Sequence, residues 1–444
     1  MEPEHLRFGG GATDTLLHPL VAVEMAVAVI LILCLSRKLV LAPLLLAIFT
    51  IPLGQVVLVA SMHLTVPRIL ILAGLVRWAV SQRSWPGRLF AGGANSLDRL
   101  FALWAVLSFA TFSLQWLDTQ ALIKSFGTLI DTLGGYVVLR FLIQDIGDVR
   151  QAVKLFGLIA LVMGACMLNE RLSGRNVFGL LGGLPPMAMR DGAVRSQGAF
   201  EVYITAGVFG ATLMPLLVWL WSDANSRIGA AAGIVGATVM TFTSQSSTSV
   251  SAFAFGIAAL CFWPLRRQMR VFRWILVVTL TGLHLVMKAP VWALIARIDL
   301  TGSSSGYHRY MLVDNFIRHF GDWWLLGARD YNAWGWDMWD LSNQYVACGI
   351  TGGLVTLFVF VWIICKSFAQ LGTTRQLSNG NWRQKWLLWC LGAALLAHLV
   401  AYFGIGYFDQ MQFAWYALLA MISAAVSEVK GLSVPQRQAA LAAS

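Results

Sequence analysis

The chain has 444 residues, of which 58% are hydrophobic and only 12% charged, with 32 Lys and Arg against 21 Asp and Glu and a formal net charge of +11. A mean hydropathy of +0.70 excludes a soluble globule of this length and points to an all-α, polytopic membrane protein. The positive balance would suggest nucleic acid in a soluble chain; here it falls mainly in short loops between apolar runs, where it sets topology and favours anionic lipid or an anionic lipid-linked substrate.

Taken in order, the chain opens with a polar segment, Met1 to His18, that has no n-region or cleavage site, so no cleavable signal peptide is expected. Apolar stretches of bilayer-crossing length then lie near 19–35, 39–59, 66–82, 98–115, 120–142, 151–168, 199–221, 228–243, 247–264, 272–289, 343–365, 386–404 and 409–427. They predict a transmembrane helix bundle of about 12–13 spans. The interval 39–59 carries Pro43 and Pro52, which membrane helices tolerate when neighbours satisfy the freed carbonyls. The six cysteines (Cys34, Cys166, Cys261, Cys348, Cys365 and Cys390) are scattered with no CxxC pair and read as small core residues, with no disulfide framework or metal site implied.

The chain divides accordingly into N-terminal transmembrane helices (1–168), an outer loop (169–198), central transmembrane helices (199–289), a long polar loop (290–342), C-terminal transmembrane helices (343–427) and a tail (428–444). Arg37, Lys38, Arg77, Arg83, Arg88, Arg99, Arg140, Arg150, Lys154, Arg227, Arg266, Arg267, Arg270, Arg273, Lys366, Arg375, Arg383, Lys385, Lys430 and Arg437 all fall on one side of this alternation, 20 of the 32 basic residues. That side is expected to be cytoplasmic. Eight of the other twelve are concentrated in 169–198 and 290–342, which then face outward. Two reasons would account for them there: binding of an anion, or the solubility that any long loop needs.

Arg195 lies at the outer mouth of the helix expected to begin near Ala199, close to a positive helix N-terminus. It either addresses an anion with that terminus or snorkels to lipid headgroups. Glu201, placed one turn into the same helix, reads as a partner for Arg195 or as a catalytic carboxylate, the partner reading being favoured because intramembrane charges usually pair. The polar run Thr241 to Phe253 (TFTSQSSTSVSAF) separates two apolar spans. Its hydroxyls either line a cavity or hydrogen-bond helix to helix, and packing is the commoner use.

The stretch Ser303 to Gly353 organises the rest. It holds Arg309, Arg318 and Arg329, His308 and His319, and Asp314, Asp322, Asp330, Asp337 and Asp340. Massing ionisable groups beside lipid in a chain that otherwise has few of them points to a polar site at a membrane face. Leu312, Phe316 and Phe320 recur at helical spacing, which predicts an amphipathic helix along the outer membrane surface. Trp292, Trp323, Trp324, Trp334, Trp336 and Trp339 suit the interface, and an aromatic wall also suits sugar rings.

Gly306-Tyr307-His308-Arg309, Trp324-Leu325-Leu326-Gly327-Ala328-Arg329, Ser342-Asn343-Gln344-Tyr345 and Gly349-Ile350-Thr351-Gly352-Gly353 carry a resemblance. In this succession the chain resembles the O-antigen ligase and O-antigen polymerase family of bacterial inner-membrane proteins, over roughly Val194 to Phe368. The resemblance implies a metal-independent, inverting glycosyltransferase without cofactors. It would take a glycan from an undecaprenyl-diphosphate carrier on the periplasmic face and join it to a growing glycan or a lipid A-core acceptor, so that 290–342 becomes the active-site loop. Arg195 and Arg309 would grip the diphosphate, with Arg329 as a third candidate. Trp334, Trp336, Ser342, Asn343, Tyr345 and Glu201 would contact glycan or acceptor. Membrane lipid and other polysaccharide-export proteins are the further partners implied, and nucleic acid is not.

The family's ligases place a catalytic histidine before the Asn, where this chain has Ser342, and a serine accepts a proton poorly near neutral pH. His308, Asp330, Asp337 and Asp340 become the candidates for proton transfer, and the reading moves from ligase toward O-antigen or exopolysaccharide polymerase. The run at 241–250 also lacks the Ser-Arg-Gly that many members show. A transporter of lipid-linked sugar would share the composition but should show repeated halves, and none is visible. A channel or a membrane-anchored assembly protein would not need such a loop.

Overall fold

The computed structural model describes residues 15–59, 62–84, 90, 93–184, 187–190, 192–297, 305–378 and 381–442. The opening segment up to position 14, Arg88, and positions 298–304 of the long polar loop lie outside these residues.

In lipid every backbone N–H and C=O needs an internal partner, so apolar runs of this length form helices. The first four are α1 (Pro19–Cys34), α2 (Arg37–Thr50), α3 (Val66–Ser84) and α4 (Ser96–Trp116). The next span joins α5 (Thr119–Leu129), a π turn (Ile130–Gly134) and α6 (Gly135–Leu142). The middle of the chain is α7 (Ile146–Ser173), α8 (Tyr203–Trp221), α9 (Arg227–Thr243), α10 (Ser247–Cys261) and α11 (Met269–Val286). The polar loop contributes α12 (Ser305–Arg318) and α13 (Phe320–Trp323), and α14 (Gln344–Leu377), α15 (Trp382–Ala401) and α16 (Met411–Ala442) complete the fold. Among the described residues eight segments are long and apolar enough to cross a membrane, with α1 and α10 as shorter apolar helices. The chain is therefore an all-α, multi-pass membrane protein. Its centre is α8 and α16, each with 83% of its apolar window buried, and α11 lies at the periphery with none.

Every expected interval contains helix, but eight segments among the described residues, rather than twelve or thirteen, are long and apolar enough to cross a bilayer, and there are informative differences at the edges. The interval 39–59 stops as helix at Thr50, and an antiparallel hairpin follows, β1 (Val56–Val59) on β2 (Met62–Thr65), with Val56 opposite Thr65. Pro52 forces the residue before it out of helical geometry, and Ile51 is extended at φ −91°, ψ 125°. The helix expected from Ala199 starts at Tyr203, so Glu201 precedes it. Residues 197–198 are held instead by Glu170 of α7, whose Oε2 accepts from the N–H groups of Gln197 (3.1 Å) and Gly198 (2.9 Å). The tail after 428 continues as helix to Ala442.

Several charges within the helices are paired, as desolvation favours. Arg68 of α3 makes a two-pronged contact with Asp131 of the π turn (3.0 and 2.6 Å). At the other end Asp98 takes the Tyr136 hydroxyl (2.6 Å) and the wholly buried Arg140 (3.3 Å), and Asp148 takes Arg37 (2.7 Å).

The apolar face of α12 in the polar loop packs on the bundle. Leu312 and Phe316 of α12 pack with Trp323 and Met338 against Val346 and Ile350 of α14. Gly349 permits it: a side-chain carbon there would run into the Phe316 ring. The Trp323 indole donates to the Phe316 carbonyl (2.7 Å) and stacks on the Phe316 ring at 3.9 Å.

A candidate anion site at the α9–α10 turn

The polar run between α9 and α10 divides its hydroxyls between two tasks. Thr241 donates to the Gly207 carbonyl (3.4 Å) and Ser249 to the Ile204 carbonyl (3.2 Å), both of α8, so these pack helices, and Ser244 donates back to the Thr241 carbonyl of its own helix (2.8 Å). The turn itself serves arginines. Gln245 sits at φ +47°, an uncommon conformation for a residue with a side chain, and its carbonyl accepts from Arg195 Nη2 at 3.0 Å. Arg195 Nη1 also donates to the Tyr203 hydroxyl, and the guanidinium lies 3.6 Å from the Tyr203 ring centre.

Arg309, reaching in from α12, donates from Nη1 to Ser247 Oγ (3.3 Å) and from Nη2 to Thr248 Oγ1 (2.8 Å). Both guanidiniums therefore converge on one turn. Their anchor residues, Gln245 and Thr248, are three positions apart and so separated by no more than about 10 Å of chain. Gly404, in the loop after α15, lies against Thr248, leaving no room there for a side chain.

A third guanidinium, which the sequence reading missed, joins them. Arg171, at the end of α7, donates to the Val194 carbonyl immediately before Arg195 (2.8 Å). With the Gln245 amide turned so that oxygen rather than nitrogen faces Arg171, that oxygen accepts at 2.7 and 3.2 Å. Arg171 thus ties the segment carrying Arg195 to the turn that receives Arg309. Its only signal in the sequence was a further arginine in the same outer loop.

Beside Arg309, His308 lies between two carboxylates. Its Nδ1 is 3.7 Å from Asp337 Oδ2, and its Nε2 is 3.8 Å from Asp340 Oδ2 and 3.3 Å from the Asp340 carbonyl. Oxygens thus face both ring nitrogens. The Asp340 carboxylate is the candidate proton acceptor. Desolvation pushes its carboxyl above the usual carboxylate range; His308 and Arg309 pull it back and Asp337 adds to the rise. Its side chain is 46% exposed and so can be reached from outside.

The remaining expected site residues are distributed differently. Arg329 donates to the Gln115 carbonyl and lies 5.2 Å from the Trp116 ring, docking the loop on the end of α4. Asp330 is exposed at the start of a short 3-10 turn, with no ion pair among the described residues. Trp334 stacks on His319 at 5.0 Å, whereas Trp336 and Trp339 are 88% and 69% exposed. Ser342 is buried, and Asn343 caps α14, accepting from the N–H groups of Tyr345 (3.0 Å) and Val346 (3.2 Å). Tyr345 packs edge-on to Tyr402 and against Phe403.

Glu201 is exposed and makes no ion pair with Arg195 among the described residues. Its charge acts instead on Asp409, a buried carboxylate that the sequence reading passed over. Asp409 accepts from the Thr205 hydroxyl and from the Met411 N–H (2.9 Å). Burial raises its carboxyl to about 7 against these two hydrogen bonds, and the Glu201 charge adds to the rise. Asp409 therefore holds its proton more tightly folded than unfolded. Its contribution to stability is complete below its ordinary value of 3.8 and is lost as the pH rises through about 7. Asp409→Asn cannot ionise and should abolish that loss, worth on the order of 4 kcal/mol. Melting curves in detergent across this range test it: equal pH slopes for the two proteins would refute the assignment.

No family model matches the chain, and no curated protein matches it either.

Proposed function

We propose that the protein is a membrane glycosyltransferase of the periplasmic face of the bacterial inner membrane, polymerising oligosaccharide repeat units carried on undecaprenyl diphosphate. One observation carries the reading: Arg195 and Arg309, distant in sequence, hydrogen-bond the same turn at 245–248. Two guanidinium forks close together suit a diphosphate, whose oxygens accept planar N–H pairs.

In the reaction an acceptor hydroxyl oxygen attacks the anomeric carbon of the lipid-linked sugar. The bond from that carbon to the diphosphate oxygen breaks, and its electron pair leaves with the diphosphate. Arg195 and Arg309 hold the negative charge that develops there. Asp340 takes the proton from the attacking hydroxyl, and His308 fixes the direction of its carboxylate. The exposed faces of Trp336 and Trp339 offer stacking surfaces to the sugars.

Purified protein incubated with a synthetic undecaprenyl-diphosphate oligosaccharide tests this. A ladder of longer glycans supports polymerisation, and one addition to a separate acceptor such as lipid A-core supports a ligase. Neither product, with movement of donor between leaflets, would replace the transferase by a transporter. Orientation is tested separately: Trp336→Cys should react with an impermeant maleimide from the periplasmic side of intact inner membranes.

Arg171 and Gln245 act on this reading as positioning residues. Arg171→Lys should lose the contact that joins the turn to Val194. We expect KM for the lipid-linked donor to rise about tenfold, with kcat falling less, since a loosened grip weakens ground and transition states alike. An unchanged KM would make the contact purely structural.

A further inference from the structure

The end of the bundle opposite this site carries a second cationic cluster that the transfer chemistry does not use. α10 starts at the site with Ser247 and Thr248 and runs away from it to Cys261. Beyond that end a turn through Trp263 leads to Arg266, Arg267, Arg270 and Arg273 around the start of α11. α14 arrives at the same place with Arg375, and α15 departs from it with Arg383 and Lys385.

Two of these guanidiniums are seated on one aromatic shelf. Arg266 lies 4.3 Å from the Trp263 ring and donates to the Trp263 carbonyl (3.1 Å). Arg375 lies 5.0 Å from the Trp389 ring and donates to the Arg266 carbonyl (2.9 Å). The rings are in mutual contact: Trp263 meets Trp386 at 5.1 Å and Trp389 at 5.8 Å, and Trp386 stacks on Trp382. Positive charge placed only to orient a chain in the membrane needs no such fixed seats.

The segments that build the cluster supply no counter-charge. No Asp or Glu occurs between Asp223 and Asp299, or between Asp340 and Asp409. Among the described residues the carboxylates near that end are engaged elsewhere: Asp98 with Arg140, Asp148 with Arg37, Asp145 with the Asp148 N–H (2.7 Å), Asp223 with Arg150 (3.4 Å), and Glu428 with the Ile146 N–H (2.6 Å). Like charges held side by side repel, and an anion from outside the chain relieves them. Indole shelves sit at headgroup depth, where that anion is a lipid phosphate. The flank is open to acyl chains, because α11 next to it is unburied along its length.

We propose that Arg266 and Arg375, with Arg267 and Arg270 beside them, bind the phosphate of an anionic phospholipid at this end of the bundle. The site is independent of the transferase reading.

The test uses the full-length protein in detergent, with phosphatidylglycerol, phosphatidylcholine or inorganic phosphate added at equal phosphate concentration. Thermal melting and native mass spectrometry are the readouts. Phosphatidylglycerol should raise the melting temperature by several degrees and remain bound, and the other two should do neither. The pair Arg266→Gln and Arg375→Gln should remove most of that shift. Should that protein fail to fold, Arg267→Gln with Arg270→Gln, both exposed, should at least halve the phosphatidylglycerol retained. An equal shift with phosphatidylcholine, an equal shift with inorganic phosphate, or full retention in the variants would overturn the proposal.

Discussion

Arg309→Lys is expected to leave the protein folded in membranes while lowering glycan transfer by about 10²–10³-fold, the usual cost of removing one preorganised donor to a developing anion. The physical reason is the shape of the group. Arg309 spreads two nitrogens over Ser247 and Thr248, which fixes the plane of its fork and therefore the direction of its other N–H bonds. A lysine ammonium keeps the charge but is a single mobile point that cannot keep both hydroxyl contacts and face an anion in plane. Stability should change little, since Leu312 and Phe316, which anchor α12, are untouched. Arg329→Lys is the matched control. That guanidinium is committed to Gln115 and Trp116, so its loss should leave transfer within a few-fold of wild type. Full transfer by Arg309→Lys would remove Arg309 from the site, and with it the present reading of the turn.

Asp340→Asn carries the other large effect. If its carboxylate receives the hydroxyl proton, the amide should slow transfer by about 10²–10⁴-fold with donor binding largely preserved. The pH profile adds an independent check. Only ionised Asp340 can accept a proton, and desolvation raises its carboxyl above the usual range. The wild-type rate should therefore fall on the acid side at a higher pH than an ordinary carboxylate would produce, and Asp340→Asn should lack that limb. His308→Gln should shift the limb further toward neutral pH, because His308 beside Asp340 is one of the groups that lower it. An Asp340→Asn protein retaining both rate and limb would transfer the role to another carboxylate, with Glu201 next in line above Asp409.

The residues singled out from the sequence met with unequal outcomes for identifiable reasons. Arg195, Arg309, His308, Asp337 and Asp340 are gathered within reach of one turn or one another. Asn343, singled out as a glycan or acceptor contact, is the N-cap of α14, a duty that short polar side chains before an apolar run commonly have. Trp323 and Trp334 looked like interface anchors and are instead packed under the loop and stacked on His319. Arg171, Gln245 and Asp409 gave no usable signal, since an arginine near a helix end, a glutamine in a turn and a single acid between apolar runs are all ordinary locally.

Hydrophobic runs, their lengths and the basic loops between them were enough to establish an all-α membrane bundle, because in lipid the backbone of an apolar segment can be satisfied by helix formation within that segment alone. Even Pro52, which ends α2 early, acts through its immediate neighbour. Which polar groups face one another is a different kind of property. Arg195, the turn from Gln245 to Thr248, Arg309 and Gly404 come from four separate stretches, and only the packing of α8, α9, α10 and α12 with the loop after α15 brings them to one place. Helix formation depends on neighbours in sequence, but hydrogen bonds between helices depend on interaxial packing, and it is the tertiary structure that decides them.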